Sequence, residues 1–189
     1  GHVELMDGER ITADAVVLAL PPARARAVCP EAVPDDPELG SSPIVNVHVW
    51  YDRPVMDEVF TAVVDSPAQW VFNRTAMAAA PGPGQHLAVS ISVAAASLEI
   101  KKRVLIDQIT DELAHLFPSA HRAQIERTVC VKERTATFAA APGQAALRPG
   151  PHTPVDHVVL AGAWTDTGWP ATMEGAVRSG MLAARAAMR

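Results

Sequence analysis

The clearest alternation of hydrophobic and polar positions lies in residues 44–51, which read IVNVHVWY. In an extended chain Val45, Val47, Val49 and Tyr51 fall on one side, because successive side chains point to opposite faces. The segment is therefore predicted to be a β-strand with one strongly apolar face. Shorter segments with strand-like patterns lie at residues 59–64, 70–72, 87–93 and 125–138.

Apolar positions recur at helical spacing through residues 97–117. Ser97 is of a type that caps the N-termini of helices, and Pro118 is of a type that ends them. These features predict one amphipathic helix over the whole segment. Two further helices are predicted, a short one at 23–28 and a closing one at 172–188 that is rich in small residues.

Two apolar runs show no alternation, AVVLAL at residues 15–20 and VVLA at residues 158–161. Short continuous runs of this kind are typical of strands that are covered on both faces. A β-hairpin is predicted at residues 2–11, because Asp7-Gly8 between two short strand-like runs is a strong turn signal.

The order of these elements predicts an α/β (α+β) fold with two domains. Residues 1–30 and 152–189 share buried strands and an Ala/Gly-rich helix, and we expect them to form one domain from both ends of the chain. Residues 43–145 carry the alternating strands and the amphipathic helix, and are predicted to be an inserted mixed-sheet domain. The segment 30–43 contains four prolines and is predicted to be the loop between them.

Composition excludes several classes of protein. The chain has 189 residues, of which 49% are hydrophobic, so it is not intrinsically disordered. Its apolar runs are far shorter than the roughly 20 residues that span a membrane. The net charge of −5 disfavours nucleic acid as a partner. Peripheral contact with a membrane stays open, because an apolar patch needs no positive charge, and a cytoplasmic location is predicted. The seven histidines lack ligand spacing, so no metal site is predicted.

The segment VVLAGAWTDTGWPATMEGAVRSG at residues 158–180 carries the chemistry. A buried strand ends at Gly162, where the missing Cβ allows another backbone or a ligand to approach closely. A polar, threonine-rich loop follows, and a helix begins near Thr172. The first amides of a helix attract negative charge. A strand, a glycine, a polar loop and a helix start are the general form of a site for an anionic cofactor, although plain strand-turn-helix units share it.

This segment resembles the C-terminal FAD-binding motif of the flavin amine oxidase and carotenoid desaturase superfamily. The resemblance rests on MEGAV at 173–177, and on AGAWT at 161–165 followed by TGWPAT at 167–172. The last two runs are similar to the squalene-associated branch, the hydroxysqualene dehydroxylases. Further pieces agree in the same order along the chain, at residues 15–22, 42–56, 69–75 and 134–143.

The resemblance implies an FAD-dependent oxidoreductase that acts on a hydrophobic isoprenoid. Reduced FAD would deliver hydride as hydroxysqualene loses its hydroxyl group in hopanoid synthesis. The two ends of the chain would be parts of an incomplete Rossmann-type FAD domain, and the insert would bind substrate. The implied substrate pocket contains Trp50, Trp70 and Phe72. The implied cofactor-binding residues are Leu20, Pro21, Gly162, Ala163, Trp164, Thr165, Asp166, Thr167, Trp169, Pro170, Ala171, Thr172, Met173 and Glu174.

Three departures from the superfamily pattern change this picture. Ala163 stands where many relatives have an acidic residue, and Asp166 is the candidate to replace it. No G-x-G-x-x-G occurs, so the chain is expected to be the C-terminal part of a longer protein, poor at binding FAD and inactive alone. Tyr51 is the single tyrosine, and Thr172 precedes Met-Glu-Gly, so a two-tyrosine cage for amine oxidation cannot form in this segment. No catalytic side chain is identified.

Two alternatives remain open at this stage. The first is a phytoene-type desaturase, in which hydride would pass in the opposite direction, from a polyene to FAD. An amine oxidase relative belongs to the same alternative but is less favoured. The other alternative is a non-catalytic fragment that forms a homodimer. Its buried-type strands at 15–20 and 158–161 would otherwise leave exposed sheet edges.

Overall fold

The computed structural model describes residues 2–33, 39–80 and 82–188. They form two compact units, residues 1–40 with 137–189 (the terminal unit) and residues 41–136 (the central unit). The strands are β1 His2–Glu4, β2 Arg10–Thr12, β3 Val16–Leu18, β4 Ser42–Tyr51, β5 Phe60–Ala62, β6 Trp70–Asn73, β7 Gln85–Ile91, β8 Ile125–Thr137 and β9 Val158–Leu160. The α-helices are α1 Pro22–Val28, α2 Arg74–Met77, α3 Ala95–Glu99, α4 Lys102–Leu116 and α5 Met173–Ala187.

The central unit is built on a five-stranded sheet in the order β5-β6-β7-β4-β8. Strands β4 and β7 are antiparallel, with Val47 opposite Val89 and Trp50 opposite His86. The predicted apolar face of β4 is confirmed, since its alternate residues from Val45 to Tyr51 are at most 2% exposed. These side chains pack in one core with Leu105, Ile109 and Leu113 of α4.

The prediction of one helix over residues 97–117 is wrong. The structure has two helices, α3 and α4, separated at Ile100, whose backbone is extended (ψ 135°). The Lys132 ammonium of β8 donates hydrogen bonds to the carbonyl oxygen of Leu98, at 2.7 Å, and to that of Ile100. Ser97 lies inside α3 and caps neither helix. A distant lysine therefore satisfies carbonyl groups that a continuous helix would have bonded internally.

The terminal unit contains two small sheets. Strands β1 and β2 form the predicted antiparallel hairpin, and β3 pairs in parallel with β9, with Leu18 opposite Leu160. The prediction that both apolar runs are covered on both faces holds for β9, whose Val159 and Leu160 are buried in different clusters. It is wrong for β3, because the Val17 side chain is 45% exposed. Helix α5 covers one side of β9 through Ala183.

The prolines of the predicted loop at 30–43 fall partly outside the described residues. Pro30–Ala32 form a short 3-10 helix. The α/β (α+β) fold class agrees with the mixture of parallel and antiparallel sheets. The assignment of cofactor binding to segments 1–30 and 152–189, and of substrate binding to 43–145, stays a prediction. Among the described residues, no helix has the length and apolar character needed to span a bilayer.

Candidate functional site: the turn between β9 and α5

The turn from Ala161 to Thr172 begins at a glycine that no other residue could replace. Gly162 has a φ of 143°, and a Cβ at this position would lie 2.7 Å from the indole ring of Trp164. The Gly162 amide donates to the buried hydroxyl of Ser179 at 2.8 Å, and that hydroxyl donates to the carbonyl of Ala176. The start of the turn is thereby fixed to the middle of α5.

Trp164 and Thr165 hold the turn from within. The Trp164 indole is 4% exposed, packs against Leu18 and Leu160, and donates to the carbonyl of Leu20 at 2.9 Å. The Thr165 hydroxyl donates to the carbonyl of Gly162 at 2.9 Å. Both side chains are predicted from the resemblance to bind cofactor; in the structure Trp164 connects the turn to the end of β3, and Thr165 closes the turn after β9 on itself. Any contact of theirs with a ligand stays a prediction.

The guanidinium group of Arg148 organises the same turn from outside it. It donates to the carbonyl of Ala163 at 2.9 Å, to that of Trp169 at 2.7 Å, and to that of Thr165. Its Nε lies 3.4 Å from the Trp164 carbonyl oxygen, and the group sits over the Phe138 ring. Sequence reasoning missed Arg148, because an arginine in the Pro/Gly-rich segment 141–151 carries no pattern that distinguishes it from a surface arginine.

The N-terminus of α5 is capped and closely packed. The hydroxyl of Thr172 accepts a hydrogen bond from the Gly175 amide at 3.2 Å. A Cβ on Gly175 would collide with the carbonyl oxygen of Pro170, so the first turn of α5 can lie against the preceding segment only with glycine. Glu174 pairs with Arg178 at 2.8 Å, and that guanidinium stacks over the exposed ring of Trp169. The amides of Met173 and Glu174 are left to bind a ligand or water.

One buried hydroxyl in the turn has no partner. Thr167 Oγ1 is buried and makes no hydrogen bond within the described part of the chain. Buried polar atoms are bonded in the great majority of cases, so an orphan of this kind points to a group that the protein alone does not supply. Asp166, by contrast, is exposed, and its carboxylate accepts a hydrogen bond from the Gly168 amide at 3.0 Å.

The remaining predicted cofactor residues lie at the edges of the turn. The Leu20 carbonyl accepts from Trp164, and the Pro21 carbonyl accepts from the amides of Arg24 and Ala25 at the start of α1. The structure thus brings the end of β3 and the turn after β9 together, as the sequence predicts. Ala163, Pro170, Ala171 and Met173 lie along the turn and the helix start, with the Met173 side chain 89% exposed.

The three residues predicted to line a substrate pocket lie in the central unit, on the side of the sheet opposite its core. Strand register puts Trp50, Trp70 and Phe72 on this side, together with Phe60, His48 and His86. We call these six residues the aromatic face. Trp70 and Phe72 stack with centroids 6.1 Å apart, and Phe60 lies 6.2 Å from Trp70. Trp50 stacks on His86 at 4.1 Å.

Two histidines interrupt the aromatic face. His48 Nδ1 and His86 Nε2 are 3.0 Å apart, which is a hydrogen bond between the rings. Burial and, for His86, the neighbouring His48 lower the pKa of these imidazoles, and the charge of Arg74 lowers both further. Sequence reasoning treated both as surface or core residues. Their pairing depends on strand register across 38 positions, which no local pattern shows.

Comparisons with known proteins agree with this geometry. Residues 1–188 match the sequence profile of the family described as flavin containing amine oxidoreductase. The chain belongs to that family. Its membership supports FAD as the cofactor, in agreement with the prediction from the motif at 161–177.

Individual relatives place the chain within the family. It is 39% identical over 171 residues to a hydroxysqualene dehydroxylase of Rhodopseudomonas palustris, which is 90% of the chain and 38% of that relative. It is 29% identical to the 15-cis-phytoene desaturase of Solanum lycopersicum, over 96% of the chain and 34% of the relative. An oxidoreductase from Methanosarcina mazei has the same fold over 93% of the chain and 43% of its own, with a TM-score of 0.71 and 18% identity. The chain spans between 34% and 43% of the length of these proteins.

Proposed function

We propose that this chain is part of an FAD-dependent oxidoreductase that acts on a squalene-type isoprenoid, with hydroxysqualene as substrate and squalene as product. The observation that carries the cofactor assignment is the turn between β9 and α5, in which three carbonyl groups accept hydrogen bonds from the Arg148 guanidinium. That turn presents a buried hydroxyl without a partner, at Thr167, ahead of a capped helix N-terminus. The 39% identity to a hydroxysqualene dehydroxylase supports the substrate.

The residues of the terminal unit suit a bound FAD. The Thr167 hydroxyl would donate to or accept from an oxygen of the cofactor, and the free amides of Met173 and Glu174 would face negative charge on it. The glycines at 162 and 175 let the backbone pack closely against the Trp164 ring and the Pro170 carbonyl, which fixes the shape of the turn. Asp166 is exposed and could bind a hydroxyl group in place of the acidic residue that Ala163 replaces. When bound, reduced FAD supplies the hydride.

The central unit would provide the substrate surface. The aromatic face offers stacked rings to a long apolar chain, and burying such a chain against them is favourable by about 25 cal/mol for each Å² of apolar area. The side chains of the aromatic face would orient the substrate and exclude water, and no side chain is assigned a covalent role. The proposal therefore includes Trp50, Trp70 and Phe72 as pocket residues. It also assigns cofactor binding to the terminal unit and substrate binding to the central unit.

A polyene desaturase is the second candidate. Relatives named 15-cis-phytoene desaturase align over almost the whole chain, and an aromatic face would suit a hydrocarbon as well as an alcohol. In that reaction hydride would pass from substrate to FAD. Amine oxidation is disfavoured, because Thr172 stands where a cage tyrosine would. Homodimer formation, peripheral contact with a membrane and a cytoplasmic location stay predictions.

The first experiment is a titration with FAD, followed by absorbance, of this chain alone and of the chain joined to an N-terminal portion with G-x-G-x-x-G from the Rhodopseudomonas palustris relative. We expect tight binding only in the joined protein, and at least tenfold weaker binding after Thr167→Val. Thr12→Val is the matched control, on an exposed position of β2. A colourless joined protein would contradict the cofactor role of the turn and favour the non-catalytic reading. Conversion of hydroxysqualene, or of phytoene, then separates the two enzyme candidates.

A further inference from the structure

The hydrogen-bonded pair His48–His86 is the polar part of the aromatic face, and strand register puts Asn46 and Ser90 on the same side of the sheet. Trp50 stacks on His86 with nearly parallel rings, 9° apart, and lies 5.9 Å from the His48 ring. On the other side, strand register puts Phe72 next to Ala88, which is opposite His48. The pair therefore lies between the Trp50 end of the aromatic face and the cluster of Phe60, Trp70 and Phe72.

The chemistry of the pair matches a hydroxyl group. In a neutral pair one ring donates the shared proton and the other accepts it. Whichever tautomer forms, one outer nitrogen is left as a donor and the other as an acceptor. These outer atoms, Nε2 of His48 and Nδ1 of His86, have no partner within the described ranges of the chain. A hydroxyl can either donate or accept, so it can bond to the outer nitrogen of His86 in both tautomers of the pair, whereas a hydrocarbon can do neither.

The surroundings keep the pair neutral. Partial burial is the largest cause of the lowered pKa of each imidazole. Arg74 acts on both rings and Arg127 on His86, and each disfavours an added proton. Arg127 itself lies over the Trp50 ring, with its guanidinium carbon 4.9 Å from the centroid. Two neutral imidazoles present one donor and one acceptor, which is a poor match for a carboxylate or phosphate with acceptors alone.

Space for a ligand exists beside the pair. A cavity of about 480 Å³ in the central unit is lined by Trp50, His86 and Arg74, with Glu126 also at its wall. This volume is within the range of small-molecule sites. A ligand that enters it contacts an imidazole of the pair and the ring stacked on that imidazole.

We infer that the His48–His86 pair binds the hydroxyl group of an acyclic isoprenoid alcohol and so selects the alcohol over a hydrocarbon of the same skeleton. The inference rests on the proposed function and deepens it, because it distinguishes a substrate such as hydroxysqualene from a polyene. The pair determines specificity here, and no bond of the substrate is made or broken by it.

The test compares farnesol with β-farnesene, an isoprenoid alcohol and a hydrocarbon of equal carbon number, on the joined protein with FAD. We expect farnesol to bind about five- to tenfold more tightly, the value of one net hydrogen bond. His48→Phe and His86→Phe should abolish the preference while leaving binding of farnesene within twofold. His115→Phe is the matched control, on an exposed position of α4. In the unaltered protein, farnesol but not farnesene should shift two imidazole nitrogen signals, which needs no variant to fold.

The outcomes separate the inference from the proposed function. Equal binding of both probes, with no imidazole shift, would overturn the inference and leave an isoprenoid site standing. Failure of both probes to bind would overturn the substrate part of the proposed function and the inference with it. Farnesyl diphosphate bound at least tenfold more tightly than farnesol, in a manner lost in Arg74→Gln, would replace the alcohol by an anion as the ligand.

Discussion

The two units of this chain obtain their stability in different ways. In the central unit a five-stranded sheet and helix α4 enclose one core of seventeen buried residues. In the terminal unit the described strands pair only two by two, and the buried residues divide into clusters of seven and three. Two-stranded sheets are marginal by themselves. The comparison teaches that the central unit is held by apolar packing, whereas the terminal unit depends more on specific hydrogen bonds around its turn.

The strongest test of this difference is a cavity in the central core. Leu113 is 0% exposed within that core, and Leu113→Ala removes three carbon atoms, Cγ and both Cδ, that its neighbours cannot replace. We expect the free energy of unfolding of the central unit to fall by about 3 kcal/mol, as measured by urea denaturation. Val104→Ala, at a 43% exposed position of the same helix, should change it by less than about 0.5 kcal/mol. Equal effects of the two variants would contradict the packing account.

The corresponding test in the terminal unit removes a hydrogen-bond donor instead of a methyl group. Arg148→Ala leaves several carbonyl groups of the turn without their charged donor, and we expect a local loss of about 2 kcal/mol. Hydrogen exchange should report it at the amide of Thr165, which donates to the Gly162 carbonyl, and at that of Asp166, which donates to the carbonyl of Pro149 next to Arg148. Arg148→Lys keeps the charge without the forked geometry of the guanidinium, so its loss of local stability should lie between zero and that of Arg148→Ala. Unchanged hydrogen exchange in both variants would contradict a stabilising role of Arg148 in the turn.

A smaller effect is expected at the start of α5. Thr172→Ala removes the side chain that accepts a hydrogen bond from the Gly175 amide, and should destabilise the helix by about 1 kcal/mol. Thr172→Ser retains the hydroxyl and serves as the control. Hydrogen exchange along the first turns of α5 measures the difference, and it should be confined to the terminal unit.

The smallest effect is a pH dependence of the central unit. The pKa of His48 and that of His86 lie below the ordinary value of 6.5, mainly because burial disfavours the charged imidazole. Between the folded and unfolded pKa values the unfolded chain binds more protons. The free energy of unfolding should therefore decrease as the pH falls through 6.5, down to the folded pKa values. Denaturation at pH 7.5 and 5.5 measures this slope, which His48→Gln with His86→Gln should reduce and His115→Gln should not.

Prediction from sequence succeeded where the pattern is local. The alternation in 44–51 gave the buried face of β4, and Asp7-Gly8 gave the hairpin. It failed where a distant group intervened, since the helix over 97–117 is divided at Ile100, whose carbonyl bonds to Lys132. It also failed at β3, because Val17 would be covered only by further packing that the described residues do not provide.

The same distinction between local and distant signals applies to the residues of the candidate sites. The motif at 161–177 identified the turn, its glycines and the capped helix, because each has a signature in consecutive residues. Arg148 and the His48–His86 pair carried no such signature. Arg148 gains its role from carbonyl groups 15 to 21 positions away, and the two histidines meet only through strand register.

The amino-acid sequence by itself determined the family, the cofactor class and the main secondary-structure elements, because each of these produces a pattern of polar, glycine and turn residues within a short segment. Only the tertiary structure decided which carbonyl groups a particular arginine or lysine satisfies, which hydroxyl stays buried without a partner, and which histidines share a proton. Hydrogen bonds act over about 3 Å, so residues far apart along the chain form them only when folding has brought their atoms within that distance.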